Sequence, residues 1–146
     1  MQQLPLTSQL TLYILLVLIG FFAVVIWYGQ YRVLKGKGYD NPDGSRDDWH
    51  EQKTHYGIAF ADLTVACPAT IAGIILLLIN PRLGFYIIAL TSFWFLWANV
   101  MTTATSLRFE KPKITLMWFV TFPLGAIVGF AYIMWTILNF NAIFSL

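Results

Sequence analysis

Four apolar runs, Leu10–Tyr28, Ile58–Ile79, Leu83–Thr105 and Ile114–Leu138, take up most of a 146-residue chain and leave only short polar connections between them. A bilayer's hydrocarbon core is about 30 Å thick and a helix rises about 1.5 Å per residue, so a span needs about twenty apolar residues. Each run meets that length. The predicted fold is therefore all-α: a single polytopic membrane domain over residues 1–146, an antiparallel bundle of four transmembrane helices.

Composition agrees, with 58% hydrophobic and only 11% charged residues, where soluble domains carry about a quarter charged. The expected surroundings are a lipid bilayer, with no nucleic-acid partner. The lone Cys67 lies inside the second run, so no intrachain disulfide can form, and its expected role is that of a small buried apolar residue. Met1–Gln9 has no lysine or arginine, and the apolar run after it exceeds a signal-peptide core, so the first span is expected to be retained.

Charge sets the expected orientation. Arg32, Lys35, Lys37, Arg46 and Lys53 lie between the first two runs and Arg108, Lys111 and Lys113 between the last two, while the opposite side has only Arg82. The positive-inside rule then puts both basic connections, 29–45 and 106–113, in the cytoplasm of a plasma or bacterial inner membrane, with both termini outside.

The connections predict packing. Asn80-Pro81-Arg82 is too short for anything but a hairpin, which makes the second and third spans neighbours. Ser45 followed by Asp47 and Asp48 reads as a helix start, with Ser45 as N-cap and Asp48 in the capping-box position. The second helix is thus expected over 46–79, about 50 Å long, with a turn or more projecting into the cytoplasm. Pro68 and Pro123 are expected to kink their helices.

The second helix carries the most ordered polar pattern. Asp48, Glu51, His55, Ala59, Asp62, Ala66, Ala69 and Gly73 recur at steps of three or four and so share one face. Small residues let helices approach closely in lipid, so this face should point into the bundle. Gly125 and Gly129 form a second close-packing face, and either face could serve a homo-oligomer instead. Asp62 is the clearly intramembrane ionisable residue. Such a group costs about 2.5–3.5 kcal/mol on insertion scales, which makes it a functional candidate. Asn99 and Thr103, on the matching face of the third helix, are its expected hydrogen-bond partners. Trp94 and Trp97 fall near mid-span, where they either pack or form an aromatic wall around a ligand.

The leading functional expectation is binding or translocation of a small molecule or ion, with Asp62 as the protonatable or cation-binding group, Asn99 and Thr103 supporting it, and Glu51 and His55 forming the cytoplasmic mouth. Four helices enclose little room for a pathway, so a homo-oligomer is expected; the alternative is a non-catalytic accessory subunit whose small-residue faces dock a larger membrane complex. A third reading is a metal-dependent membrane enzyme using Glu51, His55 and Asp62. His50 and His55 are five apart and diverge on the helix, so no metal site and no cofactor are expected. No glycine loop, activated nucleophile or second buried carboxylate suggests catalysis.

Overall fold

A computed structural model describes residues 4–37, 48–110 and 112–144. The secondary structure of these residues is helical, and three helices are long and apolar enough to cross a membrane: α1 (Leu6–Leu34), α2 (Trp49–Ile79) and α3 (Pro81–Phe109). Then follow α4 (Leu116–Thr121), α5 (Pro123–Leu138) and α6 (Phe140–Phe144).

Helix α1 runs beyond the apolar stretch that nucleates it, and its end is defined by Gly36. That residue takes φ 72°, a left-handed conformation that glycine adopts without a Cβ penalty. The Gly36 N–H donates to the Val33 carbonyl at 2.9 Å and the Lys37 N–H to the Arg32 carbonyl at 3.0 Å. These are the two bonds of a Schellman cap.

Among the described residues helix α2 begins at Trp49, and Arg46, its expected start, lies outside them. The expected N-cap, Ser45, lies outside the described residues, and Asp48 caps the helix instead. Its Oδ1 accepts from the His50 and Glu51 N–H groups at 2.7 and 2.9 Å, while Glu51 Oε2 accepts from the Asp48 N–H at 2.9 Å. The capping box is Asp48 with Glu51, because a glutamate three residues on is long enough to reach back to the cap.

The main departure from the sequence reading lies inside α2. Asp62–Ala66 form a π turn, in which the Cys67 N–H donates to the Asp62 carbonyl five residues back. Pro68 follows at once. Its ring would crowd the carbonyl four residues before it and it has no N–H to give, and the wider turn next to it makes room for that defect. The extra residue shifts the helix face. The buried positions are Ala59, Asp62, Cys67, Thr70, Gly73 and Leu77, so Cys67 and Thr70 take the places expected for Ala66 and Ala69.

Asn80 alone separates α2 from α3. Its Oδ1 accepts from the Leu83 N–H at 3.4 Å, and Pro81 occupies the first helical position. Beyond the turn the two helices approach closely enough to demand glycine. A Cβ on Gly84 would lie 2.6 Å from the Leu77 backbone nitrogen, and one on Gly73 would lie 2.9 Å from the Ile88 side chain.

The fourth expected span, Ile114–Leu138, is not one helix. Thr115 caps α4 by accepting from the Trp118 N–H at 3.2 Å. The chain then breaks at Phe122, with φ −107° and ψ −74°, and Pro123 starts α5 afresh. Proline was expected to kink this segment and it interrupts it instead. At 16 residues, α5 is about 24 Å long, short of the hydrocarbon thickness by itself.

Helix α5 lies against α3 through Gly125 and Gly129. A Cβ on Gly129 would meet the Ser92 carbonyl oxygen at 2.7 Å, and one on Gly125 would meet the Asn99 amide at 2.5 Å. Both small-residue faces are therefore used within the chain. The principal contacts join α1 to α2 and α5, and α3 to α2 and α5. Aromatic rings fill the centre: Phe22 meets Phe95 edge-on at 6.4 Å, and Phe85 stacks on Trp135 at 5.7 Å. Trp135 also donates its indole N–H to the Ser8 carbonyl at 3.0 Å, which ties α5 to the start of α1. The perimeter is apolar and open, as at Val17, Phe93, Leu78 and Leu138, the last two about four-fifths exposed. Water does not tolerate so extensive a surface of this kind, and lipid does.

Candidate functional site

The polar centre of the bundle is built on the π turn. Asp62 is 8% exposed, and each of its carboxylate oxygens accepts one hydrogen bond from a different helix. Gln30 Nε2 of α1 donates to Oδ2 at 2.7 Å, and Trp94 Nε1 of α3 donates to Oδ1 at 3.0 Å. Three helices thus converge on one side chain. Both donors are neutral, so the carboxylate is held by dipoles and not by a cation. An ionised carboxylate has about four lone-pair sites, which leaves acceptor capacity for a further donor or for a proton.

Helical periodicity places Gln30. Leu12, Leu15, Ile19, Phe22 and Ala23 form the buried stripe of α1, and Ile26 and Gln30 continue it at steps of four. Sequence reasoning missed this residue because the hydropathic span ends at Tyr28. The signal was nevertheless present as a lone amide on an otherwise apolar stripe. Trp94 is half-buried and packs edge-on against Phe95, with centroids 4.7 Å apart, so its indole is held between the core and Asp62.

The remaining candidate residues are placed differently. Asn99 Nδ2 donates to its own helix at the Phe95 carbonyl, 2.8 Å, and its amide lies over Gly125. The Thr103 hydroxyl donates to the Asn99 carbonyl at 2.5 Å. The hydrogen-bond partners of Asp62 are therefore Gln30 and Trp94, while Asn99 and Thr103 serve the α3–α5 contact and the α3 backbone. Trp97 is 63% exposed and faces outward. Glu51 and His55 lie on the exposed first turns of α2. His55 is two turns, about 10 Å, before Asp62 along the helix, and Glu51 is engaged in the cap. Among the described residues no three His, Cys, Asp or Glu side chains come together in a way that could hold a metal ion. Glu51, His55 and Asp62 are not gathered into one site.

Cys67 is buried one π turn beyond Asp62, on the same inward face. Thr70, fully buried, returns its hydroxyl to the Ala66 carbonyl at 2.8 Å, and Thr64 does the same to Phe60 at 2.7 Å. These hydroxyls satisfy themselves locally, so Asp62 is the polar group in this stretch that depends on other helices.

The end of the bundle that carries Arg108 and Lys113 has its own polar link. Trp118 Nε1 donates at 3.0 Å to the Ser106 hydroxyl oxygen, which is fully buried. This bond fixes the connection between α3 and α4 at that end. No protein-family model, curated protein or solved structure matches the chain.

Proposed function

We propose that the chain is an integral membrane protein whose helices form an antiparallel bundle, with α4 and α5 together making the fourth crossing, and that Asp62 is its proton- or cation-exchanging group. In this reading the protein binds or translocates a small molecule or ion, and connections 29–45 and 106–113 face the cytoplasm. The observation that carries it is the convergence of Gln30 and Trp94, from two other helices, on a buried carboxylate at a π turn. Irregular turns of this kind occur frequently at functional sites, and an intramembrane acid has to be offset by its neighbours.

The two donors suit an exchange of protons. Trp94 can only donate, so it favours the ionised carboxylate. Gln30 can do either, donating through Nε2 to a carboxylate or accepting through Oε1 from a carboxylic acid once its amide turns over. Protonation of Asp62 at Oδ2 thus exchanges one Gln30 bond for another, while Oδ1 remains an acceptor for Trp94 through a bond weakened by loss of the negative charge. An inorganic cation would need several oxygens, whereas the neighbours on hand are N–H groups. The shell therefore favours a proton or an organic ammonium group over a bare metal ion.

The accessory-subunit reading needs a face for a partner. Gly73, Gly125 and Gly129 are taken up by contacts within the chain, which weighs against docking through those faces. The test is reconstitution into proteoliposomes with an internal pH-sensitive dye, using an imposed pH gradient and a panel of organic ammonium ions. Folded Asp62→Asn should lose any pH-dependent uptake seen with the native chain. Uptake that survives this change intact would remove Asp62 from the mechanism.

A further inference from the structure

We propose that the end of α1 nearest Gly36 holds a binding site for the phosphate-bearing headgroup of an anionic phospholipid. A cleft of about 360 Å³ there is lined by Tyr28, Tyr31, Arg32, Lys35 and Lys37. Three cations and two phenol rings are thus grouped on a few residues of chain.

Helix geometry explains the grouping. Tyr28, Tyr31, Arg32 and Lys35 recur at steps of three and four, so they share one face. Gln30 lies on the opposite face, where it meets Asp62. The cluster therefore points away from the bundle, towards the lipid perimeter. Lys37 lies beyond the helix, and the Schellman cap returns the chain at Gly36 so that its N–H reaches back to Arg32. The Lys35 ammonium sits 5.6 Å above the Tyr31 ring, which positions one cation over an aromatic floor.

A cation near a helix C-terminus complements the dipole, but that accounts for neither the cleft nor the two tyrosines. Among the described residues no carboxylate pairs with Arg32, Lys35 or Lys37, so their charge is available to an outside anion. The site lies at the end of a span-length helix, with Tyr28 and Tyr31 at the depth where aromatic side chains meet headgroups. A lipid phosphate is presented at that depth, and a basic cluster just cytoplasmic of a span attracts anionic lipid at about 1 kcal/mol per cation, or about fivefold in affinity. This inference rests on the membrane reading and is independent of Asp62.

The test uses the full chain in bilayers of phosphatidylcholine, measuring the association of spin-labelled phosphatidylglycerol relative to spin-labelled phosphatidylcholine. The native chain should prefer phosphatidylglycerol. Single changes Arg32→Gln, Lys35→Gln and Lys37→Gln should each lower the preference by up to about fivefold at low salt, and the triple change should abolish it. A control triple of equal charge, Arg82→Gln, Arg108→Gln and Lys113→Gln, should keep it, as should excess inorganic phosphate. Equal loss in both triples would reduce the effect to net charge and overturn the site. Displacement by inorganic phosphate would make it a free-anion site and overturn the lipid assignment, and no preference in the native chain would overturn both.

Discussion

The Cys67 N–H bonds the carbonyl of Asp62, five residues before it, and this π turn decides which residues follow Asp62 on the inward face of α2. A regular helix would bring Ala66 to the inward face, whereas the π turn brings Cys67. Pro68 is the local cause. Restoring an N–H with Pro68→Ala should let the segment relax towards an α-helix, displacing Cys67 from its buried position. Cys67 should resist a membrane-permeant maleimide in the native chain and react faster in Pro68→Ala. Unchanged reactivity would mean that the π turn is held by packing alone.

Gln30 and Trp94 should couple energetically to Asp62. Gln30→Leu leaves one carboxylate oxygen without its donor and should cost about 1–3 kcal/mol, and the same change in an Asp62→Leu background should cost far less. The difference, read from a double-mutant cycle by reversible unfolding in mixed micelles, is the coupling. An Asn99→Leu cycle with Asp62 should be additive, since Asn99 bonds its own helix.

The glycines divide by what surrounds them. Gly84→Ala forces a Cβ against the Leu77 backbone, which cannot move aside, and should destabilise by about 1–3 kcal/mol. Gly57 is in α2 with no atom within 4 Å of a built Cβ, so Gly57→Ala should stabilise by about 0.5–1 kcal/mol through helix propensity. Gly125→Ala should fall between them, because the atoms in its way belong to the Asn99 side chain.

Much of this was legible in the chain. The apolar runs located α1, α2 and α3, Asn80-Pro81 located the break between α2 and α3, and Gly73, Gly125 and Gly129 marked close approaches. What escaped were the departures from uniform periodicity. A constant step of 3.6 residues carries the α2 stripe through Ala66 and Ala69, and only the π turn at Pro68 moves it to Cys67 and Thr70. Hydropathy ended the first span at Tyr28 and so left Gln30 outside, although the helix continues to Leu34. Pro123 was visible, but whether a proline bends a helix or divides it depends on the contacts around Phe122.

The cap of α2 should respond to acid. The backbone N–H of Glu51, with that of His50 and the nearby His50 side chain, holds the Asp48 carboxyl below its ordinary range. A carboxyl whose folded value is depressed stabilises the fold above its unfolded value, and that contribution is lost as pH falls through the folded one. Amide exchange at His50 and Glu51 should therefore accelerate, relative to its intrinsic rate, as pH drops below the usual carboxylate range. Asp48→Asn should keep a cap but lose this dependence, and Asp48→Ala should fray at every pH.

Topology can be read with cysteines in a Cys67→Ala chain. Ser106 is fully buried under Trp118 and is a poor site, so Lys37→Cys and Arg108→Cys are the better probes, with Arg82→Cys for the other side. In intact cells an impermeant reagent should label only Arg82→Cys. Labelling of Lys37→Cys from outside would invert the proposed orientation.

Proton exchange at Asp62 within the bundle can be read by infrared difference spectroscopy on the reconstituted chain during a pH jump. A protonated-carboxyl band should appear as pH falls, vanish in Asp62→Asn, shift in Gln30→Leu and persist in Glu51→Gln. A spectrum in which Asp62→Asn and the native chain give the same carboxyl bands at every pH would contradict this exchange, since Asp62 would then be a fixed structural group.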